Sequence, residues 1–285
     1  MSTDRDPQPV LVTIVIPTYD DDPEHLRQAV ASALSQTHPG IEVVVVDDGS
    51  TRSDTVAALD ALESVTVIRQ DNLGPSAARN AGIRAGHGEV LICLDADDML
   101  SHDYAAEAVH VLSTTPAAAI AYPRVEPFGE DPGPTWPTRG QLGVGDFAQR
   151  SAAAVSSAFR RSDWVAAGGW DESMRTGMED HEWWVRLLGR TAGSAHPLPH
   201  ATLAYRVRRG SRSRIRPYAA DLAVTRRRII VNNPPEVLQR LLEGAWAQTD
   251  RAEAEAARAW SDPWQLRRWG KALTRRARRC AARLR

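Results

Sequence analysis

Apolar and polar positions fall in alternating blocks through the first half of the chain. Val10–Ile16 is a run rich in Val and Ile, the composition of a buried strand, and Pro17 is expected to stop it. Pro23 then opens a helix through about Ser35 that places Leu26, Val30, Ala33 and Leu34 on one face. Ile41–Val46 reads as a second strand, followed by a helix from about Asp54 to Leu62 and a short strand at Val65–Arg69. The pattern continues with a helix over Pro75–Ala85, a strand at Val90–Leu94, a helix over His102–Ser113 and a strand near Ala118–Tyr122. Strands and helices of these lengths in alternation predict right-handed βαβ units and a parallel sheet with both faces covered.

Glu126–Gly145 breaks the rhythm with prolines, glycines and a lone Trp136, and it reads as a long surface loop. From about Arg214 the pattern is helical, with natural breaks at Asn232-Asn233-Pro234-Pro235 and Ser261-Asp262-Pro263. No internal repeat is visible.

Composition changes this picture little. The 285 residues carry a formal net charge of -1, so there is no global reason to expect a nucleic-acid partner. Arginine replaces lysine almost everywhere, Lys271 being the single exception, so an arginine argues for an anion only where its position supports it. Cys93 and Cys280 lie far apart in unlike contexts, which excludes a disulfide framework or a cysteine-rich zinc site. MSTDRDPQPV has no basic stretch leading into an apolar one, and no window reaches the ~20 apolar residues of a spanning helix. A cytoplasmic protein, soluble or peripheral on the inner face of the membrane, is expected.

Ligands of open α/β sheets gather at the carboxyl ends of the strands. Three such ends are polar here: Pro17-Thr18-Tyr19-Asp20, Asp47-Asp48-Gly49-Ser50 and Asp95-Ala96-Asp97-Asp98. Any one of them suits a turn, since Asp, Gly and Ser are turn formers. Asp95, Asp97 and Asp98 are harder to read that way, because three crowded carboxylates repel one another unless a cation compensates. Carboxylates with open coordination positions suit Mg²⁺ or Mn²⁺ bridging substrate phosphates. No GxGxxG follows the first strand and no GxxxxGK[ST] is present, which disfavours a dehydrogenase and a P-loop enzyme.

Taken together, VTIVIPTYDDD, VVVVDDGS, NLGPSAARNAG, LICLDADD, GGWDES, EDHEWWVRL and YRVRRGSRS, in that order, resemble the family 2 glycosyltransferases over about Val10 to Ser213. The resemblance implies a GT-A-like, Rossmann-related fold. Its catalytic domain would span 1–213, with a nucleotide-binding half at about 10–125 and an acceptor half at about 126–213. A helical C-terminal extension would fill 214–285. It also implies an inverting transfer of sugar from a nucleoside-diphosphate donor, UDP or dTDP, to a glycan or lipid-linked acceptor in cell-surface polysaccharide or glycoconjugate synthesis.

Roles follow from the resemblance position by position. Tyr19 would stack on the donor base beside Pro17 and Thr18, and Asp48 would accept a hydrogen bond from that base. Arg79 and Asn80 of the ARN motif would help hold the nucleotide, although a plain exposed helix arginine is the alternative for Arg79. Asp95, Ala96, Asp97 and Asp98 would meet the ribose and the metal, with either Asp97 or Asp98 as the direct Mn²⁺ or Mg²⁺ ligand. Asp180 would be the catalytic base and Glu179 its acceptor-side neighbour, although acids also suit a helix N-terminus. Trp170 would stand beside the acceptor. Trp183 and Trp184, about 100° apart on a helix, would divide between core and sugar site. The family often has a histidine where this chain has Arg208, and a guanidinium cannot ligate a cation but can bind a diphosphate. Asp20 stands where Asn is common, with a small effect expected.

Residues 264–285 form a basic amphipathic pattern that suits either an anionic membrane surface or docking on the catalytic domain. Two rival functions remain: a non-catalytic nucleotide-sugar or glycan-binding protein of the same fold, and a sugar nucleotidyltransferase. An intact Asp cluster with Asp180 argues against the first. The lack of an early Gly-rich triphosphate loop argues against the second.

Overall fold

The computed structural model describes residues 9–175, 177–208 and 218–261. Four parallel strands form the centre of the larger sheet: β1 (Val12–Thr18), β2 (Ile41–Asp47), β3 (Thr66–Arg69) and β4 (Val90–Cys93). The short β7 (Phe159–Arg160) joins antiparallel to β4, giving the order β3-β2-β1-β4-β7. Helices α1 (Pro23–Leu34), α2 (Ser53–Asp60) and α3 (Pro75–Ala85) make the crossovers, as the alternating pattern predicts. Strand β1 continues through Pro17, which pairs with Val46 of β2. Its pairing with β4 ends earlier, at Val15 and Cys93, so the missing N–H falls beyond that neighbour.

Alternate residues of these strands feed two separate cores. Ile14, Ile16, Val43, Val45 and Ile92 pack with Leu26 and Ala29 of α1, and with Ala108 and Leu112 of α4 (Tyr104–Thr114). Val15, Val44, Val46, Leu91 and Cys93 pack with Ala78 and Ile83 of α3. The same core takes Trp183 and Leu187 of α6 (Glu179–Thr191). Each such Val, Leu or Ile contributes about 1.5–3 kcal/mol on burial, which is why both strand faces are apolar. A Cβ at Gly82 would collide with Val15, so only glycine lets α3 lie this close to β1.

The smaller sheet holds β5 (Met99–Leu100), β8 (Ser194–Val207) and β6 (Ala118–Gly129) in the order β5-β8-β6. This corrects the expected loop: its first four residues continue β6, and β8 carries no clear strand signal in sequence. Pro197 and Pro199 interrupt the pattern of β8, and Pro123 lies where the β6–β8 register shifts. After α5 (Arg161–Ala167) and α6, the helical extension appears as α7 (Tyr218–Asn232) and α8 (Pro235–Ser261), broken where expected. Ile229 and Val237 of these helices share the core of Trp183 and Trp184. Helix α8 also lies on a 3-10 turn at Val144–Phe147. There a Cβ on Gly244 would strike Gly145, and Gln248 donates to the carbonyls of Gly145 and Asp146 at 3.2 and 3.3 Å. The second break and the basic segment 264–285 lie outside the described residues. Among those described, no helix is long and apolar enough to cross a membrane.

Candidate active site

One open cavity of about 2260 Å³ collects the carboxyl ends of β1, β2 and β4, the N-terminus of α6, and faces of β8, α7 and α8. At the end of β1, Tyr19 is 48% exposed and lines this cavity with Pro17 and the buried Thr18. Three aspartates follow, each with a separate task. Asp20, in the left-handed region at φ 52, accepts from the backbone N–H of Thr51 and Arg52 at 2.6 and 2.8 Å and ties the ends of β1 and β2 together. Asp22 caps α1 by accepting from the N–H of Glu24 at 2.8 Å. Asp21 instead lines the cavity, where burial raises its pKa although Tyr19 N–H and the Thr18 hydroxyl donate to it. Sequence reasoning gave Asp21 no role; three successive acids after Tyr19, where a helix cap needs only one, were the available signal.

Asp48 follows β2 and is buried. Its carboxylate accepts from Gln70 Nε2 at 2.7 Å and from the N–H of Leu73 and Gly74 at 2.9 and 2.8 Å, which shapes the loop leading into α3. A carboxylate has about four acceptor sites, so room for one further donor remains on the cavity side.

Beyond β4, Asp95, Ala96, Asp97 and Asp98 all line the cavity, and three arginines engage the acids. Arg79 of α3, buried, donates to Asp95 at 2.9 Å and to Glu179 at 2.8 Å. Burial opposes its charge, yet those two carboxylates hold its pKa above the ordinary arginine range. Arg208 at the end of β8 donates to Asp97 at 2.5 Å. The N–H of Arg206 donates to Asp98 Oδ1 at 2.8 Å, while Asp98 Oδ2 is buried with no hydrogen-bond partner. Burial and then the charge of Asp95 push Asp97 up to about 6, against the pull of Arg208. The same two causes hold Asp98 well above the carboxylate range.

Across the cavity, Glu179 and Asp180 open α6. Burial and the neighbouring charge of Glu179 push Asp180 up to about 6, while the Ser151 hydroxyl and Arg79 pull it back. The next residue, His181, is fully buried and kept neutral by that burial; its Nε2–H donates to the Phe147 carbonyl at 2.6 Å and binds α6 to the 3-10 turn. Sequence reasoning missed His181 too.

Four expected contacts are corrected. Trp183 and Trp184 are both 0% exposed and Trp170 is 2% exposed, because α6 is enclosed on all sides. Trp170 stacks on Trp183 with centroids 5.1 Å apart and sits 4.9 Å from the Arg79 guanidinium, so the tryptophans form a floor under Arg79 and do not line the cavity. Asn80 is spent on the turn that follows α5. Its Oδ1 accepts from Trp170 N–H and Trp164 Nε1, and its Nδ2 donates to the Trp170 carbonyl and to Glu172. It too stands away from the cavity.

Among the described residues no three His, Cys, Asp or Glu side chains converge on a point that would cage an ion. The donor set fits a cation held by one or two carboxylates with substrate phosphates completing its shell, the usual mode of Mg²⁺. The unpartnered Asp98 Oδ2 and the mutually repelling carboxylates are the observations behind that fit.

A mostly parallel sheet whose acidic strand ends face one cavity, joined to a second small sheet, has the architecture of a GT-A-type glycosyltransferase. The chain belongs to glycosyl transferase family 2, whose description matches residues 13–164, more than half of it. It is 36% identical over 115 residues to an uncharacterized glycosyltransferase of Nostoc sp., covering 39% of this chain and 35% of that one. It is 39% identical over 103 residues to the succinoglycan biosynthesis protein ExoW of Rhizobium meliloti, covering 34% and 32%. The chain thus matches about a third of the length of these curated relatives. The crystal structure of S. aureus TarS 1-349 in complex with UDP-GlcNAc superposes with a TM-score of 0.66 at 17% identity, covering 82% of this chain and 71% of that one.

Proposed function

We propose that this glycosyltransferase moves a sugar from a UDP- or dTDP-sugar to an acceptor hydroxyl with inversion, using Asp180 as general base. One observation carries the reading: Asp180 faces the same cavity as Asp95–Asp98 and has its pKa pushed to about 6, so near neutral pH it is ionised yet basic enough to take a proton. The deprotonated hydroxyl attacks the anomeric carbon from the face opposite the diphosphate. A single displacement inverts the centre and needs no sugar–enzyme bond.

In this reading the base stacks on exposed Tyr19 and donates to the remaining acceptor site of Asp48. Arg208 turns from Asp97 toward the diphosphate, for which its planar fork is suited. Asp97, with Asp95 or Asp98, would hold Mn²⁺ or Mg²⁺, which when bound neutralises charge on the leaving diphosphate. The UDP-GlcNAc complex of the TarS neighbour supports a nucleotide-sugar donor, and the name of ExoW supports polysaccharide synthesis as the setting.

The test is a screen of nucleotide sugars with Mn²⁺ or Mg²⁺ by thermal shift and diphosphate release. A UDP- or dTDP-sugar at about 100 times its Kd is expected to stabilise by about 2.7 kcal/mol, a rise of roughly 5 °C or more. No shift and no release with any donor overturns the reading. Tyr19→Ala is expected to raise donor KM about tenfold with kcat little changed, the scale of one base–aromatic stack. An unchanged KM removes Tyr19 from the base site.

A further inference from the structure

The expected acceptor-side tryptophans are all in the core, yet another tryptophan does line the cavity. Trp136 is 50% exposed and lies in the segment between β6 and the 3-10 turn. Its backbone is pinned: Trp136 N–H donates to the Val125 carbonyl at 2.9 Å, and Val125 N–H donates to the Trp136 carbonyl at 3.1 Å. Pro137 follows directly and biases Trp136 toward extended backbone. The indole packs against Tyr205 of β8, with centroids 5.4 Å apart and planes 37° apart. A bulky apolar ring is thus held half open to solvent on a fixed support.

Its place in the cavity says what it can meet. Tyr19 marks the donor-base end, at the tip of β1. The acidic cluster lies at the tip of β4. Trp136 is on neither tip: it bridges to Val125 of β6 in the small sheet and packs on Tyr205 of β8, the strand that leads to Arg208 and its bond to Asp97. Thr135, Arg139 and Gln141 line the cavity around it and offer hydroxyl, guanidinium and amide groups. An aromatic face ringed by hydrogen-bonding groups matches a pyranose, which presents an apolar C–H face and a rim of hydroxyls.

We infer that Trp136, backed by Tyr205, is the platform on which a pyranose ring of the acceptor stacks, so that the acceptor is a glycan and not a bare lipid. This rests on the donor-site reading above.

Saturation-transfer NMR on the full chain with UDP and a panel of methyl glycopyranosides tests both readings in one sample. UDP base protons report the donor site, and pyranoside ring protons report the platform. At least one pyranoside is expected to show transfer concentrated on the C–H protons of one face. Trp136→Ala should weaken it at least about fivefold, the scale of an aromatic stacking contact. Trp136→Phe should restore most of the signal, and UDP transfer should be unchanged in both variants. Pyranoside transfer that survives Trp136→Ala overturns the inference. So does its absence in the wild-type protein while UDP transfer is present. Absence of transfer to UDP, and to dTDP in a parallel sample, from the wild-type protein instead overturns the proposed function itself.

Discussion

Asp180→Asn is expected to lower kcat by about 10²- to 10⁴-fold, the usual contribution of a positioned base, with donor KM little changed. The pH profile of the wild-type enzyme carries the same signature. Asp180 works when ionised, and its pKa is pushed up to about 6, so kcat should rise through pH 6 and level off above it. The acidic limb should vanish in the variant. Stability moves the other way. A carboxylate whose folded pKa lies above its unfolded one favours the fold while protonated, and that favour is lost as pH rises from the unfolded value through about 6. At pH 8 the native state holds a desolvated charge beside Glu179, and the amide removes it. The variant should therefore melt at or above the wild-type temperature while turning over far more slowly. Equal kcat, or a fall in Tm that explains the lost rate, removes Asp180 as base.

Arg79→Met is expected to be the most damaging single change to stability. Methionine keeps an apolar stem but removes the guanidinium that bonds both Glu179 and Asp95. Removing one partner of a buried ion pair costs about 3–5 kcal/mol, a fall in Tm of roughly 10 °C. Most of this should come from Glu179, whose side chain is 9% exposed, since Asp95 is 34% exposed and rehydrates. Thermal melting checks it. A Tm within about 2 °C of wild type would mean that water replaces the guanidinium, leaving Arg79 a minor support.

The parallel sheet was legible because its central strands are buried on both faces and so read as near-continuous apolar runs. Strand β8 was not, because two prolines and a polar half hide its period. The acidic cluster was legible as chemistry, since crowded carboxylates have few structural excuses. Side-chain direction was the harder problem. A tryptophan pair on one helix suggested one ring in and one out, but α6 is covered on every side, so both go in and Trp170 joins them. Asn80 carries the right motif and is nonetheless consumed by the turn at Trp170. Asp20, Asp21 and Asp22 are identical in sequence and differ only in what the backbone lets each one reach. The tryptophan left without a role, Trp136, is the one among the described residues that lines the cavity.

The contact between α8 and the 3-10 turn has a practical consequence for anyone dividing this chain into parts. The family match ends at residue 164, before Asp180, and a cut there would keep the acidic strand ends while discarding Asp180 and all of α6. Ending the chain at about 213 would keep both but withdraw Ile229 and Val237 from the tryptophan core, together with the Gln248 bonds that hold Gly145 and Asp146. The helices after the sheets are therefore masonry for the cavity wall at the 3-10 turn. A shortened version designed for expression or for grafting onto another acceptor half should keep the chain through at least Gln248.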